Sequence, residues 1–167
     1  MTLPEGARVL ELGCGTGRLL ARLAKTYPRL RGVGLDLSPQ MLRQARAHNP
    51  DRRRLVYVRG NAEALPFASG EFDATFATAS FLHYLRPLAV LWELARVLRR
   101  NGQFYWADWT LPSQSANNWL WQRSPERLHL YAPQRRASLA RAVELVPQQH
   151  HRLLGPVVLS VLAQPGR

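Results

Sequence analysis

The chain has 167 residues, a formal net charge of +12 and a hydrophobic fraction of 46%. This length suits one domain with a buried core, and no apolar run approaches the roughly 20 residues that cross a membrane. The single cysteine, Cys14, excludes an internal disulfide and a metal site built from several cysteines. No signal peptide precedes the first predicted strand, so we expect a cytoplasmic protein.

The positive charge makes nucleic acid a candidate partner. Lys25 is the only lysine, and the arginines are spread along the chain apart from the run Arg52 to Arg54. A solvated loop before the third predicted strand accounts for that run, and the alternative is contact with RNA or lipid headgroups. Charge alone therefore leaves nucleic acid as a secondary interpretation.

Apolar periodicity predicts strands and helices that alternate along the chain. In order they are strand 8–13, helix 17–26, strand 31–36, helix 39–48, strands 55–59 and 72–77, helix 87–99 and strand 103–108. The C-terminal part predicts a helix at 137–146 and two strands, 150–154 and 157–164, joined by Gly155 and Pro156. Alternation of this kind is typical of the α/β class, with a mostly parallel sheet and helices on both faces.

The most informative segment is residues 9–17, which read VLELGCGTG. A short apolar strand carries Glu11 and runs into Gly13, Gly15 and Gly17, and leucines at helical spacing follow. Glycines let the backbone turn sharply and let a ligand approach the main chain without meeting a Cβ atom. A strand, a glycine turn and a helix in this order form the usual site of a nucleotide-like ligand in an α/β sheet.

The spacing of the glycines narrows the class of ligand. A dinucleotide-binding turn reads G-x-G-x-x-G, but Arg18 stands where its third glycine would be, and no phosphate loop is present. Glu11 suits a cationic ligand end, such as an amino-acid ammonium, and would repel a pyrophosphate. Asp36 ends the second strand, about 20 residues after the glycines, where an acid can accept hydrogen bonds from both ribose hydroxyls. Ser38 and Pro39 then predict a helix start.

Three further segments follow in order: GNAEALPF at residues 60–67, FDATFATASFLHYL at 72–85 and LARVLRRNGQF at 94–104. With the glycine turn, they make the chain resemble the class I S-adenosylmethionine-dependent methyltransferases. The resemblance covers about three fifths of the chain, from Val9 to Asp108. It is nearest to the small-molecule type, which includes the ubiquinone and menaquinone methyltransferases. It implies a Rossmann-like sheet that ends in an antiparallel C-terminal hairpin.

The resemblance also implies S-adenosylmethionine as the cofactor and assigns residues to its parts. Glu11 and the Gly13 backbone face the methionine end, Asp36 binds the ribose hydroxyls, and Thr78 lines the sulfonium region. The whole expected set is Glu11, Gly13, Cys14, Gly15, Gly17, Asp36, Leu37, Met41, Asn61, Ala62 and Thr78.

For some residues of this set, the alternative is a structural role. Leu37 and Met41 pack on the adenine or belong to the core, and Cys14 fills space within the turn. Asn61 and Ala62 flank the adenine edge. Asn61 replaces the usual aspartate, and its side-chain carbonyl can still accept from the adenine amino group.

Methyl transfer depends mainly on holding the nucleophile in line with the methyl carbon. An oxygen or nitrogen nucleophile can also require a base, and His83 is a candidate because it follows the fourth strand. The alternative is a structural histidine at a loop-to-helix junction. Asp108, at the end of the fifth strand, is the second candidate, and it could instead cap the next segment.

We expect a single domain over residues 1–167, without the N-terminal helices that often cover the cofactor. Residues 109–135 are a candidate substrate lid, and their aromatic side chains favour a flat or apolar acceptor. They are Trp109, Trp119, Trp121 and Tyr131. The leading interpretation is a small-molecule methyltransferase. A non-catalytic cofactor-binding partner subunit and an RNA methyltransferase remain alternatives, and the oligomeric state stays open.

Overall fold

The computed structural model describes residues 2–110 and 128–166, so Trp119 and Trp121 of the predicted lid lie outside the described residues. The strands are β1 (Arg8–Leu12), β2 (Arg31–Asp36), β3 (Leu55–Arg59), β4 (Phe72–Thr78), β5 (Leu98–Trp109), β6 (Val146–Leu154) and β7 (Val157–Ala163). The helices are α1 (Arg18–Thr26), α2 (Pro39–Ala47), α3 (Pro87–Val97) and α4 (Pro133–Ala142), with a 3-10 turn at Phe81–His83. Within the described ranges, no helix is long and apolar enough to cross a bilayer.

The strands form a seven-stranded sheet in the order β3-β2-β1-β4-β5-β7-β6. Every pair from β3 to β5 is parallel, and β7 runs antiparallel to both β5 and β6. This confirms the predicted α/β sheet with its C-terminal antiparallel hairpin. The chain order reverses between β1 and β4, and such a reversal leaves a crevice outside the carboxyl ends of the strands.

The sheet separates two apolar layers because successive side chains of a strand point to opposite faces. Leu10 and Leu12 of β1 belong to the layer that holds Leu91 of α3 and Leu139 of α4. Val9 belongs to the other layer, together with residues of α1 and α2. Helices therefore cover both faces, as the near-continuous apolar strands indicate.

Local signals set most of the element boundaries. The Ser38 hydroxyl accepts a hydrogen bond from the Met41 amide at 3.3 Å, which confirms the predicted start of α2. The helix predicted at 137–146 was wrong in its bounds, because it begins at Pro133 and ends at Ala142. Arg136 lies inside this helix yet is buried, which hides the apolar pattern. Glu144, with φ of 62°, then turns the chain away from the helical conformation.

The buried Arg136 joins the ends of β5 and β7. Its guanidinium donates to the carbonyl oxygens of Val158 at 2.8 Å, Asp108 at 3.0 Å, and Trp106 and Trp109 at 3.2 Å. It also lies 4.7 Å from the centroid of the Trp106 ring. Burial lowers the pKa of Arg136 to about 10, so the side chain is charged at neutral pH. A fully buried cation held by carbonyl oxygens fixes this corner of the sheet.

We expect Arg136→Met to lower the free energy of unfolding by about 3–5 kcal/mol, because the buried carbonyls lose their donor. Methionine has a similar reach, so the variant removes the charge without opening a large cavity. Urea denaturation measures the change. The exposed neighbour provides the control: Arg135→Met should shift stability by no more than about 0.5 kcal/mol. Equal stabilities for the two variants would contradict this role of Arg136.

A second buried ionisable side chain lies in β1. Glu11 is 4% exposed, and its Oε2 atom has no hydrogen-bond partner among the described residues. Burial raises the pKa of Glu11 to about 8, against a hydrogen bond from the Leu20 amide that acts in the opposite direction. The folded protein therefore keeps this carboxyl protonated at pH values where the unfolded chain ionises it.

This difference makes stability depend on pH. Between about pH 4.5 and pH 8 the folded state binds the Glu11 proton more tightly, so the free energy of unfolding falls as pH rises. We expect urea denaturation at pH 5 and pH 8 to show a smaller fall in Glu11→Gln than in the wild type, by roughly 3–5 kcal/mol. Glu5→Gln, at a largely exposed acid, should retain the wild-type fall. An unchanged pH dependence in Glu11→Gln would show that Glu11 ionises normally.

Candidate active site

A cleft of about 220 Å³ opens at the carboxyl ends of the strands, where the chain order reverses. One wall comes from the glycine turn, the end of β2 and the segment after β3. The other comes from the loop and 3-10 turn after β4. The lining residues are Gly13, Leu35, Asp36, Leu37, Gly60, Ala62, Ala79, Ser80, His83 and Tyr84.

The three glycines of the turn after β1 all have positive φ, of 62°, 52° and 76° for Gly13, Gly15 and Gly17. A Cβ atom on Gly17 would lie 2.7 Å from the Tyr57 ring, so packing requires glycine there. A Cβ atom on Gly15 would meet nothing within 4 Å. The backbone at Gly15 is therefore open for a ligand to approach closely.

Asp36 is held in a fixed orientation at the end of β2. Its Oδ2 atom accepts from the Gly15 amide at 2.8 Å, and its Oδ1 atom accepts from the Ser38 amide at 2.8 Å. Each carboxylate oxygen retains a second lone pair, so both can accept another hydrogen bond. The carboxylate lines the cleft with Leu37, whose side chain is 61% exposed. An acid beside an exposed apolar surface suits a ribose that carries a flat base.

The opposite wall contains three residues that sequence reasoning missed: Ala79, Ser80 and Tyr84. Ala79 has φ of 51° and donates its amide to the Ala107 carbonyl at 2.9 Å. The Ser80 hydroxyl donates to the Leu12 carbonyl at 2.9 Å, which ties this wall to β1. The sequence resemblance includes their segment, residues 72–85, but only Thr78 and His83 of that segment were assigned to the site. Thr78 is exposed and is not among the lining residues.

Of the two candidate bases, His83 belongs to the 3-10 turn, and Asp108 of β5 is hydrogen-bonded to it. His83 is exposed and lines the cleft. Asp108 is 3% exposed, lies outside the lining, and accepts from the Leu82 amide at 3.2 Å. Burial raises the pKa of Asp108 to about 6. Asp108 thus holds the turn that carries His83.

The other predicted site residues surround the cleft without lining it. Cys14 is buried, burial raises the pKa of its thiol, and its sulfur packs against Gly34. The side-chain oxygen Oδ1 of Asn61 accepts a hydrogen bond from the Glu63 amide at 3.0 Å within a turn. Met41 is 37% exposed on α2. The structure therefore gathers Gly13, Asp36, Leu37, Ala62 and His83 in one cleft, and the individual binding roles stay predictions.

The residues present fit an adenosyl sulfonium cofactor. The open backbone at Gly15 and the oriented Asp36 carboxylate suit the ribose end. Glu11 lies against the first turn of α1, and its unpartnered Oε2 atom is an acceptor that an ammonium group could satisfy. No feature of the cleft wall requires a pyrophosphate.

Comparison with known proteins agrees with this site. A family model described as "Methyltransferase domain" matches residues 10–106, more than half of the chain. A malonyl-[acyl-carrier protein] O-methyltransferase of Legionella pneumophila is 42% identical over 96 residues, covering 57% of this chain and 34% of the relative. A fatty-acid O-methyltransferase of Mycolicibacterium smegmatis is 39% identical over 104 residues, covering 62% and 38%. The chain thus spans about a third of the length of these curated relatives.

Solved structures show the same fold. A SAM-dependent methyltransferase from Aquifex aeolicus matches with a TM-score of 0.81 and 18% identity, covering 98% of this chain and 85% of that one. The [4+2]-cyclase SpnF matches with a TM-score of 0.86 and 17% identity, covering 98% and 76%. A fold shared with a cyclase does not by itself define the chemistry. The family is shown by the sequence match: the chain belongs to the class I methyltransferases, whose cofactor is S-adenosylmethionine.

Proposed function

We propose that this chain transfers a methyl group from S-adenosylmethionine to a carboxylate oxygen of a small, apolar acyl molecule. The observation that carries the proposal is a single cleft in which Gly13 and Asp36 face His83 and Tyr84. The first pair belongs to the expected cofactor side. The second pair stands where an acceptor would meet the methyl group.

The cofactor supplies an activated methyl group, and the protein's own residues supply position. Asp36 would accept hydrogen bonds from the ribose hydroxyls, since two backbone amides already orient its oxygens. Gly15 would admit the ligand to the main chain, and Leu37 would offer an apolar surface. Holding donor and acceptor in line supplies much of the rate of such a transfer.

Two observations support an apolar acyl acceptor. Leu85, which follows the cleft residues His83 and Tyr84, is 69% exposed, so an apolar side chain is accessible next to this wall. The relatives named above are a malonyl-[acyl-carrier protein] O-methyltransferase and a fatty-acid O-methyltransferase. A carboxyl group with an ordinary pKa of about 4 is already ionised at neutral pH, so its methylation requires no base. His83 would then contact the acceptor without removing a proton.

Transfer of labelled methyl from S-adenosylmethionine to octanoate and palmitate tests this proposal directly. A methyl ester is the expected product. Transfer to extracted RNA alone would favour the RNA methyltransferase suggested by the charge. Binding of S-adenosylhomocysteine without transfer to any acid, metabolite or RNA would favour a non-catalytic partner subunit. We place this activity in the cytoplasm, as the sequence predicts.

Asp36→Ala should weaken binding of S-adenosylhomocysteine by about 1.5–3 kcal/mol, or roughly ten- to hundredfold, because the hydroxyls lose a charged acceptor. Isothermal titration calorimetry measures the dissociation constant. Glu5→Ala removes one negative charge at a largely exposed position and serves as the control. Affinity that is unchanged in a folded Asp36→Ala protein would remove the ribose role.

His83→Ala distinguishes a carboxylate acceptor from a hydroxyl or amine acceptor. With a carboxylate we expect turnover within about tenfold of the wild type, and the same pH profile above pH 6, because no proton is removed. His151→Ala, at an exposed histidine of β6, is the matched control. A loss of about 10²-fold or more, with wild-type cofactor affinity, would instead make His83 the base.

A further inference from the structure

A second cavity, of about 600 Å³, opens at the amino ends of the strands. The cleft lies at the opposite, carboxyl ends of the strands. Its lining is dominated by arginines and consists of Gly6, Arg8, Pro28, Arg29, Arg31, Arg54 and Arg99. The methyltransferase site uses none of these residues. The cavity is therefore a separate feature of the molecule.

Parallel pairing brings these arginines together. Arg8 begins β1 and Arg31 begins β2, and the two are direct partners in the sheet register. Arg54 immediately precedes β3, and its carbonyl accepts from the Gly32 amide at 2.9 Å. Neighbouring parallel strands start at one edge, so arginines at their first residues face a common space. Arg54, the last residue of the run Arg52 to Arg54, thus contributes to this cavity.

Ion pairs position most of the guanidinium groups at this edge. Arg8 pairs with Glu71, and Arg99 pairs with Asp73 at 2.7 Å. Asp73 is itself held, because its other oxygen accepts from the Arg8 amide at 2.8 Å. A guanidinium has five N–H donors, so the one carboxylate contact of Arg99 leaves several donors available. Arg54 has fewer left, because it also donates to the Ala24 and Tyr27 carbonyl oxygens.

Positive charge remains after these pairs are counted. Arg29 pairs with Glu5 at 2.6 Å, and Arg54 pairs with Asp51 at 2.7 Å. Arg31 is exposed, and no carboxylate of the described residues lies within 4.0 Å of its guanidinium. The five lining arginines thus outnumber their four paired carboxylates.

We propose that this arginine cavity binds the phosphate chain of a small ligand, such as a nucleotide polyphosphate. The planar guanidinium fork matches the oxygens of a phosphate group in both geometry and charge. A concave site of this volume suits a small molecule, whereas a membrane presents a flat surface. The ligand would bridge the starts of β1, β2 and β3, far from the methyl donor.

Inorganic tripolyphosphate is the probe for the first test, with its affinity measured by titration calorimetry on the full chain. The site variant Arg29→Gln/Arg31→Gln should bind it at least about tenfold more weakly, because two charged donors are lost. The control variant Arg43→Gln/Arg141→Gln removes the same charge at exposed positions of α2 and α4. Its affinity should stay within about threefold of the wild type, since distant charges are screened.

A labelled oligouridylate distinguishes a free phosphate ligand from a nucleic-acid backbone. Tripolyphosphate binding without RNA binding supports the small ligand. RNA binding that tripolyphosphate displaces, and that only the site variant loses, assigns the same phosphate site to nucleic acid. Equal weakening in both double variants, or no tripolyphosphate binding to the wild type at low salt, overturns the site. Binding of S-adenosylhomocysteine, unchanged in every variant, confirms that the fold is intact.

Discussion

The hydrogen bond between the Asp36 carboxylate and the Gly15 amide is the interaction on which the cofactor site depends. It joins the end of β2 to the turn after β1 at 2.8 Å. The second carboxylate oxygen binds the Ser38 amide at the start of α2, so three segments meet at one acid. Without this contact the open turn at Gly15 would lack a fixed relation to the acid that faces the cleft. Pre-organised acceptors of this kind avoid reorganisation when a ligand binds.

The parts of the cleft that the sequence located depend on local signals in the chain. The glycine turn and the Ser38 cap follow from residues a few positions apart, because turn and cap geometry depends on neighbours, and Asp36 follows from the apolar strand that it ends. Ala79, Ser80 and Tyr84 were missed because their position in the cleft depends on pairing between β1 and β4. The bounds of α4 were missed for a related reason. Arg136 reads as a solvent-facing residue, and only tertiary contacts show that it is buried.

The fold restricts where a ligand binds, and the family match restricts which ligand it is. The sheet order and the glycine turn place a ligand at the strand ends, and the family match identifies that ligand as S-adenosylmethionine. In the proposed function the acceptor meets the wall that contains His83 and Tyr84, whose side chains the shared fold does not specify. A [4+2]-cyclase with the same fold shows that the fold alone does not define the reaction. Labelled methyl transfer therefore has to identify the acceptor.

The buried Arg136 connects distant parts of the molecule to His83. Its guanidinium holds the main chain of Asp108, and the Asp108 carboxylate holds the Leu82 amide one residue before His83. The Leu82 carbonyl in turn accepts from the amide of His129, within the candidate lid, at 2.8 Å. Through this continuous series of hydrogen bonds, the position of α4 affects the position of the turn that carries His83. Substitutions in α4 would therefore change the position of His83 without altering any residue that lines the cleft.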